Sequence, residues 1–266
     1  MKDKELVKNY YDNQAETEWK RLEGFHFEFE ITKAMLKKYM KKGSVLDIGG
    51  GPGRYSVYLA QMGFDVTLVD LSHGNVELAK QNAAKSGVKI NAYQCDACDM
   101  EKLNLGKFDN VLIMGPLYHL TAESDRKKCV LEAKRHLKDS GVLFASFIMT
   151  HGGFNYYLDA DPDQILNETQ LDLLDCMEED KSWSGDGWTK VFFAEQDEIA
   201  PFFDSLGLEK VTLFGQEGVT ATRLGDIEAS SEEVRKFYLN LSLRICEKPK
   251  YFAYSSHLMY VGKKKL

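Results

Sequence analysis

The sequence is poor in the features that mark secreted, membrane-spanning and metal-binding proteins. It has five cysteines in 266 residues, an odd number without the look of a disulfide framework. Cys95 and Cys98 form a C-x-x-C pair with no second pair or histidine partner, so we expect ordinary thiols and no metal. The longest apolar runs, such as 142–149, are far shorter than the roughly 20 residues that span a bilayer. No apolar stretch follows the charged N-terminus, so we expect no signal peptide, no membrane partner and a cytoplasmic location.

Positive charge is also scarce. The chain has 34 Lys and Arg against 41 Asp and Glu, a formal net charge of −7. This balance argues against a large electropositive face for nucleic acid, although a local patch would still be compatible with it. We therefore expect no nucleic-acid partner.

What the sequence does contain is a glycine-rich loop directly after a short apolar strand. Gly49, Gly51 and Gly53 alternate behind Asp47. Glycine permits close approach of a ligand to the backbone, and the following helix offers the positive end of its dipole. A dinucleotide fingerprint would need a further glycine where Arg54 stands, and no G-x-x-x-x-G-K-[ST] is present. The loop is therefore typical of a small cofactor, but not of a dinucleotide or a nucleoside triphosphate.

Strand and helix patterns alternate from residue 44 onward, which predicts an α/β fold with a doubly wound, mainly parallel sheet. The pattern breaks twice, at 151–192 and 217–248, which we interpret as insertions after the fifth and sixth strands. No linker divides the chain, so 1–266 is expected to be a single domain with a helical N-terminal segment, 1–43. The seven predicted strands are 44–48, 65–69, 89–94, 110–114, 141–149, 208–214 and 253–261.

Ligands of open α/β sheets bind beyond the carboxyl ends of the strands. Asp70 ends the second strand about 20 residues past the glycine loop, a position that suits bidentate hydrogen bonding to ribose hydroxyls. Leu71 would then offer an apolar face to adenine. The alternative is that Asp70 is an ordinary strand-end turn residue.

The D-x-G-x-G-x-G loop, Asp70 and the Cys95-Asp96-Ala97 stretch after the third strand together resemble class I S-adenosylmethionine (SAM)-dependent methyltransferases. The resemblance is specific over 44–150, the expected SAM-binding half. It implies sheet order 3-2-1-4-5-7-6 with strand 7 antiparallel, a glycine loop around the methionine part of SAM, and Asp96 with Ala97 beside the adenine. It also implies that residues 1–43 cover the cofactor as a lid, although an amphipathic helix on the sheet edge is the alternative. Tyr11 in that segment and Met114 at the end of the fourth strand complete the cofactor candidates.

The residues after the fourth strand, Gly-Pro-Leu-Tyr-His-Leu at 115–120, bear on the acceptor. Enzymes that methylate base amines or glutamine amides typically carry [DN]-P-P-[YF] here, whereas this version resembles bacterial methyltransferases thought to act on small molecules. His119 is the candidate base or hydrogen-bond partner, or else a structural cap. His151, Glu217 and His257 are expected at the same edge as second-rank candidates for the substrate pocket.

The first insertion is strongly acidic, with ten carboxylates and one basic residue between Asp159 and Asp186. Such a run is usually a solvated surface. The sharper hypothesis is an acidic mouth that attracts a cationic or amine acceptor, with Trp183 and Trp188 as cation–π partners.

These observations predict a SAM-dependent methyltransferase that acts on a small molecule by in-line displacement. The alternatives are an RNA or protein methyltransferase and a non-catalytic SAM-binding partner protein. The sequence predicts neither the accepting atom nor the oligomeric state.

Overall fold

The computed structural model describes residues 2–24, 26–160 and 162–265. Nine strands and ten helices alternate along this part of the chain. The strands are β1 Ser44–Ile48, β2 Asp65–Asp70, β3 Asn91–Gln94, β4 Phe108–Ile113, β5 Leu137–Met149, β6 Trp183–Asp186, β7 Lys190–Ala194, β8 Leu208–Gly215 and β9 His257–Lys264. The helices are α1 Lys2–Glu23, α2 His26–Tyr39, α3 Arg54–Gln61, α4 His73–Lys85, α5 Glu123–His136, α6 Thr150–Ala160, α7 Glu168–Glu178, α8 Gln196–Ser205, α9 Leu224–Glu228 and α10 Glu232–Ile245.

The sheet has the strand order that the resemblance implied. β3, β2, β1, β4 and β5 are parallel neighbours in that order. β9 then pairs antiparallel with β5, and β8 pairs antiparallel with β9. With β8 as the predicted sixth strand and β9 as the predicted seventh, order 3-2-1-4-5-7-6 is confirmed. The last strand begins later than predicted, because residues 249–254 form a 3₁₀ turn that starts at Pro249.

Two strands were not predicted. β6 and β7 form an antiparallel hairpin inside the first insertion, and β7 continues the sheet by pairing with the last two residues of β5. Ser184, Gly185 and Asp186 are poor strand formers, so composition gave no signal for β6. The hairpin is stabilised by packing instead: the ring of Trp183 lies 5.2 Å from that of Phe193.

β5 is buried on both faces, as its apolar run predicted. Leu143, Ala145 and Phe147 belong to one core cluster, whereas Val142 and Phe144 belong to the other. Successive side chains of a strand point to opposite faces, so this single strand contributes to the hydrophobic core on both sides of the sheet.

Two helices of the sheet-forming part begin differently. Ser72 caps α4, accepting a hydrogen bond from the backbone N–H of Asn75 at 3.1 Å. α5 begins at Glu123 without a side-chain cap, and the nearby Thr121 hydroxyl donates to Asp3 at 3.2 Å. Among the described helices, none combines the length and apolar character needed to cross a membrane.

Candidate active site

A cleft lies at the carboxyl edge of the parallel strands, between the loops after β1 to β4 and the helices α1 and α2. Residues of β5, of the loop after β8 and of the start of β9 complete its lining. The predicted site residues that line it are Tyr11, Asp47, Gly49, Gly51, Asp70, Leu71, Asp96, Ala97, Met114, His119 and His257.

The three alternating glycines have left-handed backbones, with φ of 71°, 56° and 86°, but different surroundings. A Cβ at Gly49 would lie 2.3 Å from a ring carbon of Pro116, whereas a Cβ at Gly51 would meet nothing within 4 Å. Gly53 does not line the cleft, which corrects its assignment to the cofactor: a Cβ there would lie 2.9 Å from that of Ala79. Gly53 therefore serves the packing of the turn against α4, and Gly51 presents bare backbone to the cleft.

Asp47 is a buried carboxylate at the base of the glycine loop. Its carboxylate is 1% exposed and accepts a hydrogen bond from the Ser56 hydroxyl at 2.7 Å. Burial raises the pKa of Asp47 to about 6, an effect that the hydrogen bond from Ser56 partly opposes.

Asp70 connects the glycine loop to the start of α4. Its Oδ2 accepts from the backbone N–H of Gly51 at 2.8 Å, and its Oδ1 accepts from that of Ser72 at 2.8 Å and from the Asn75 amide at 3.3 Å. Burial raises the pKa of Asp70, although these hydrogen bonds oppose the shift. A carboxylate has about four acceptor positions, and three of them are occupied here, so one position on Oδ2 remains for a ligand hydroxyl.

Asp96 is engaged by the N-terminal helix. Lys4 approaches its Oδ2 at 2.9 Å, and the backbone N–H of Cys98 donates to its Oδ1 at 2.8 Å. Burial alone would raise the pKa of Asp96, but these two partners outweigh it and hold the pKa below its usual range. An amino group that binds Asp96 must therefore share it with Lys4.

α1 lies across the cleft rather than along an edge of the sheet. Besides Lys4, it contributes Asp12, whose Oδ1 accepts from the Ser72 hydroxyl at 2.6 Å and from the backbone N–H of Gly74 at 3.3 Å. Tyr11 reaches His119 from the same helix. Contacts to the loops after three strands thus hold α1 over the predicted cofactor side.

His119 is held by protein groups at both ring nitrogens. Nδ1 lies 3.0 Å from the carbonyl oxygen of Lys190, which can only accept, so Nδ1 carries the proton. Nε2 then accepts from the Tyr11 hydroxyl at 2.8 Å. Burial lowers the pKa of His119 to about 4, and the ring is neutral near pH 7. His119 is therefore a poor proton acceptor and a good hydrogen-bond acceptor for Tyr11.

His257 has the opposite electrostatic setting. The Glu217 carboxylate accepts from both the backbone N–H of His257, at 3.1 Å, and its ring Nδ1. Burial lowers the pKa of His257, but the charge and hydrogen bond of Glu217, together with the charge of Glu28, more than offset this and raise it. Glu217 does not itself line the cleft, which corrects its predicted position: it lies behind His257 and orients the ring.

The sequence analysis missed five charged cleft residues from α1 and α2: Lys4, Lys8, Glu18, Arg21 and Glu28. Glu28 accepts at Oε1 from the Tyr55 hydroxyl at 3.0 Å, and burial raises its pKa. Arg21 donates to Glu18 through Nε at 2.8 Å and through Nη2 at 2.6 Å. No motif marks these positions; the available signal was their place in a segment already expected to cover the cleft.

His151 lies outside the cleft, contrary to prediction. It sits at the start of α6, and its Nε2 donates to the carbonyl oxygen of Ser255 at 3.0 Å, a structural contact. None of the described residues of 151–192 lines the cleft either, and Asp161 lies outside the described part of the chain. The acidic residues that face the cleft from outside the sheet are Glu18 and Glu28 instead.

Comparison with known proteins agrees with this geometry. Residues 45–141, which contain the glycine loop, Asp70 and Asp96, match the family model for a methyltransferase domain. Over this segment the chain is similar to class I SAM-dependent methyltransferases, in agreement with the resemblance seen in the sequence. SAM is the cofactor of this family, and the sheet order and glycine loop described above are those of its fold.

The curated relatives match about half of this chain. It is 29% identical over 130 residues to a ubiquinone biosynthesis O-methyltransferase of Rickettsia akari, covering 48% of this chain and 50% of that protein. It is 30% identical over 145 residues to a glycine/sarcosine N-methyltransferase of Parasynechococcus marenigrum, covering 53% of this chain and 50% of the other. The chain thus spans about half the length of these relatives.

Solved structures extend the likeness in fold to almost the whole chain. The 1,6-didemethyltoxoflavin-N1-methyltransferase of Burkholderia thailandensis, solved with 1,6-didemethyltoxoflavin and S-adenosylhomocysteine, superposes with a TM-score of 0.62 at 13% identity. The superposition covers 98% of this chain and 88% of that one. At this identity the likeness concerns the fold alone.

Proposed function

We propose that this protein transfers the methyl group of SAM to a small-molecule acceptor. The observation that carries the proposal is the two-part cleft. One part contains the glycine loop, Asp70 and Asp96 of the family motifs, and the other is lined by Glu28, Tyr118 and His257, which those motifs do not use.

The residues of the first part fit SAM. Gly51 leaves open space above its backbone, where a methionine chain can lie, and Asp70 keeps one free acceptor position for a ribose hydroxyl. Leu71, Ala97 and Met114 line the cleft as apolar or small residues suited to an adenine ring. Asp96 would accept from the adenine amino group beside Lys4.

Bound SAM supplies a sulfonium whose methyl group is already activated for transfer, so the protein has to position and desolvate rather than activate. α1 closes over the cleft and excludes water from it. Tyr11 and His119 fix each other beside this region, and we propose that His119 acts by orienting the Tyr11 hydroxyl rather than as a base.

A small acceptor is supported by three independent features. The cleft is covered by α1, which leaves little room for a macromolecule. The chain has a net charge of −7 and lacks [DN]-P-P-[YF] after β4. The printed names of the relatives include enzymes of ubiquinone biosynthesis and of glycine and sarcosine methylation, all small molecules.

The test is methyl transfer from labelled SAM into a fractionated cell extract. We expect label in a small-molecule fraction that depends on the protein. Label in RNA or in protein would instead favour the macromolecular alternatives. If the protein binds S-adenosylhomocysteine but labels no fraction, it acts as a non-catalytic SAM-binding partner.

A further inference from the structure

Three ionisable side chains from separate parts of the chain meet at the second part of the cleft, where Glu28 and His257 line the wall and Glu217 lies behind His257. Glu28 comes from α2, Glu217 follows β8, and His257 begins β9. The charges of Glu28 and Glu217 each raise the pKa of His257, and Glu217 raises that of Glu28, so the three groups interact electrostatically. We call Glu28, Glu217 and His257 the acidic subsite.

The hydrogen bonds of the acidic subsite leave two acceptor atoms for a ligand. Glu217 is hydrogen-bonded to Nδ1 of His257. The other ring nitrogen of His257, Nε2, can therefore bind a ligand in the cleft. Both described donors to Glu28, the Tyr55 hydroxyl and the Gln216 amide at 3.5 Å, approach the same oxygen, Oε1. A ligand that fits here presents hydrogen-bond donors to Oε2 of Glu28 and to Nε2 of His257.

The position of Gln216 is itself fixed. Its Oε1 accepts from the Ser146 hydroxyl, and its amide nitrogen donates to the Thr32 hydroxyl at 3.2 Å. A carboxylate cannot donate, so the amide of Gln216 turns its nitrogen towards Glu28. This network fixes the Glu28 carboxyl at the wall of the cleft, and burial raises its pKa.

Among the described residues, negative charge exceeds positive charge in the subsite when Glu28 is ionised and His257 is neutral. In that state Glu28 and Glu217 carry two negative charges, and Arg54 on α3 supplies one positive charge near Glu28. Arg21 on α1 is bound by Glu18 through two hydrogen bonds, and these two charges cancel. The nearby phenols of Tyr55 and Tyr118 stay neutral, because burial raises the pKa of each. A buried, uncompensated negative charge is costly, so a bound cation would stabilise this site.

We propose, on the basis of the proposed function, that the methyl acceptor is a small primary or secondary amine that binds to the acidic subsite as an ammonium ion. The ammonium donates to Glu28 and to Nε2 of His257, and the latter nitrogen takes one of its protons. The freed nitrogen lone pair then forms the new N–C bond with the methyl carbon, while the C–S bond breaks and its electron pair stays on sulfur. The proton on His257 is released to solvent after the product leaves.

Other acceptor classes fit the subsite less well. A carboxylate would face the Glu28 carboxyl directly and the charge of Glu217 behind His257. A neutral alcohol could donate to His257 but would leave the excess negative charge uncompensated. A bound ammonium ion and a protonated His257 would compete for the same negative charge. Affinity for a cation should therefore increase as the pH rises through the pKa of His257.

The experiment uses matched amines, alcohols and carboxylates on the same carbon skeletons, from ethyl to benzyl, titrated into protein saturated with S-adenosylhomocysteine. We expect at least one amine to bind about tenfold more tightly than its matched alcohol, a difference of about 1.4 kcal/mol. Glu28→Gln should remove this preference without changing affinity for S-adenosylhomocysteine. Glu30→Gln, on the same helix but paired with Lys33 at 2.6 Å outside the cleft, should keep it.

With SAM in place of the product, the bound amine should gain one methyl group by mass spectrometry, and His257→Gln should lower kcat more than it changes KM. The inference is overturned if no amine binds, if alcohols or carboxylates bind as tightly as amines, or if Glu28→Gln keeps the preference. A protein that fails to bind S-adenosylhomocysteine in the first titration would instead contradict the proposed function itself.

Discussion

Asp70→Asn is the substitution that tests the cofactor site most directly. The asparagine keeps the shape of the side chain but replaces one carboxylate oxygen by an amide that can only donate. In the aspartate, the backbone N–H groups of Gly51 and Ser72 each lie 2.8 Å from an accepting oxygen. In either orientation of the asparagine, the amide nitrogen replaces one of these oxygens, so one of the two N–H groups loses its acceptor. The loop and the start of α4 therefore lose part of the connection that shapes the ribose site.

The expected loss of affinity follows from the hydrogen bonds. A ribose hydroxyl that donates to this carboxylate contributes about 1.5–3 kcal/mol, since hydrogen bonds to charged groups have this strength. Loss of this bond corresponds to a rise of about 10- to 100-fold in Kd for S-adenosylhomocysteine. Calorimetric titration at neutral pH measures this directly.

Asp65→Asn is the matched control, because Asp65 begins the same strand, β2, at its exposed opposite end. It should bind S-adenosylhomocysteine as the unmodified protein does. The reasoning is refuted if Asp70→Asn remains folded and its Kd changes less than about threefold, because a difference of that size is below one hydrogen bond to a charged group.

Two further predictions follow from the site. Glu217→Gln should lower the pKa of His257, as measured by NMR titration of the ring, because the charge that raises it is removed. The raised pKa of His257 stabilises the folded protein fully below pH ~6.5, and this contribution is lost as the pH rises through the pKa of His257 in the folded state. The loss of stability in Glu217→Gln should therefore be larger at acidic than at alkaline pH. Equal losses at both would contradict the electrostatic account. Gly53→Ala should destabilise the fold, since the left-handed backbone costs about 1–2 kcal/mol and the new Cβ meets Ala79 at 2.9 Å. Gly51→Ala has the same backbone cost but no clash, so it should unfold at a higher temperature than Gly53→Ala. Calorimetry should show the opposite order for the cofactor product, with the larger loss of S-adenosylhomocysteine binding in Gly51→Ala.

The sheet could be predicted because its strands are encoded locally. The apolar run of β5 and the glycine loop after β1 need no tertiary information, and a parallel sheet brings strand ends together at one edge. The β6–β7 hairpin could not be predicted, because Ser184 and Gly185 join the sheet only through the packing of Trp183 on Phe193.

The candidate site was predictable to a similar extent. Asp70 and Asp96 follow strands directly, so their position was determined by topology. Glu28 lies on a helix whose orientation depends on packing, and no local pattern distinguishes it from the solvated glutamates around it. Glu217 and His257 were expected at the same edge, but which of them faces the cleft depends on the antiparallel pairing of β9.

The contact between the β6–β7 hairpin and His119 has a consequence for how this insertion can vary. The hairpin holds the imidazole through the backbone carbonyl of Lys190, not through a side chain. Any amino acid at this position offers the same carbonyl. The insertion can therefore change in sequence and alter the shape of the nearby surface, while the tautomer of His119 and its hydrogen bond to Tyr11 are preserved. Deleting the hairpin would instead release the ring, so length and backbone path, rather than residue identity, are what this segment has to keep.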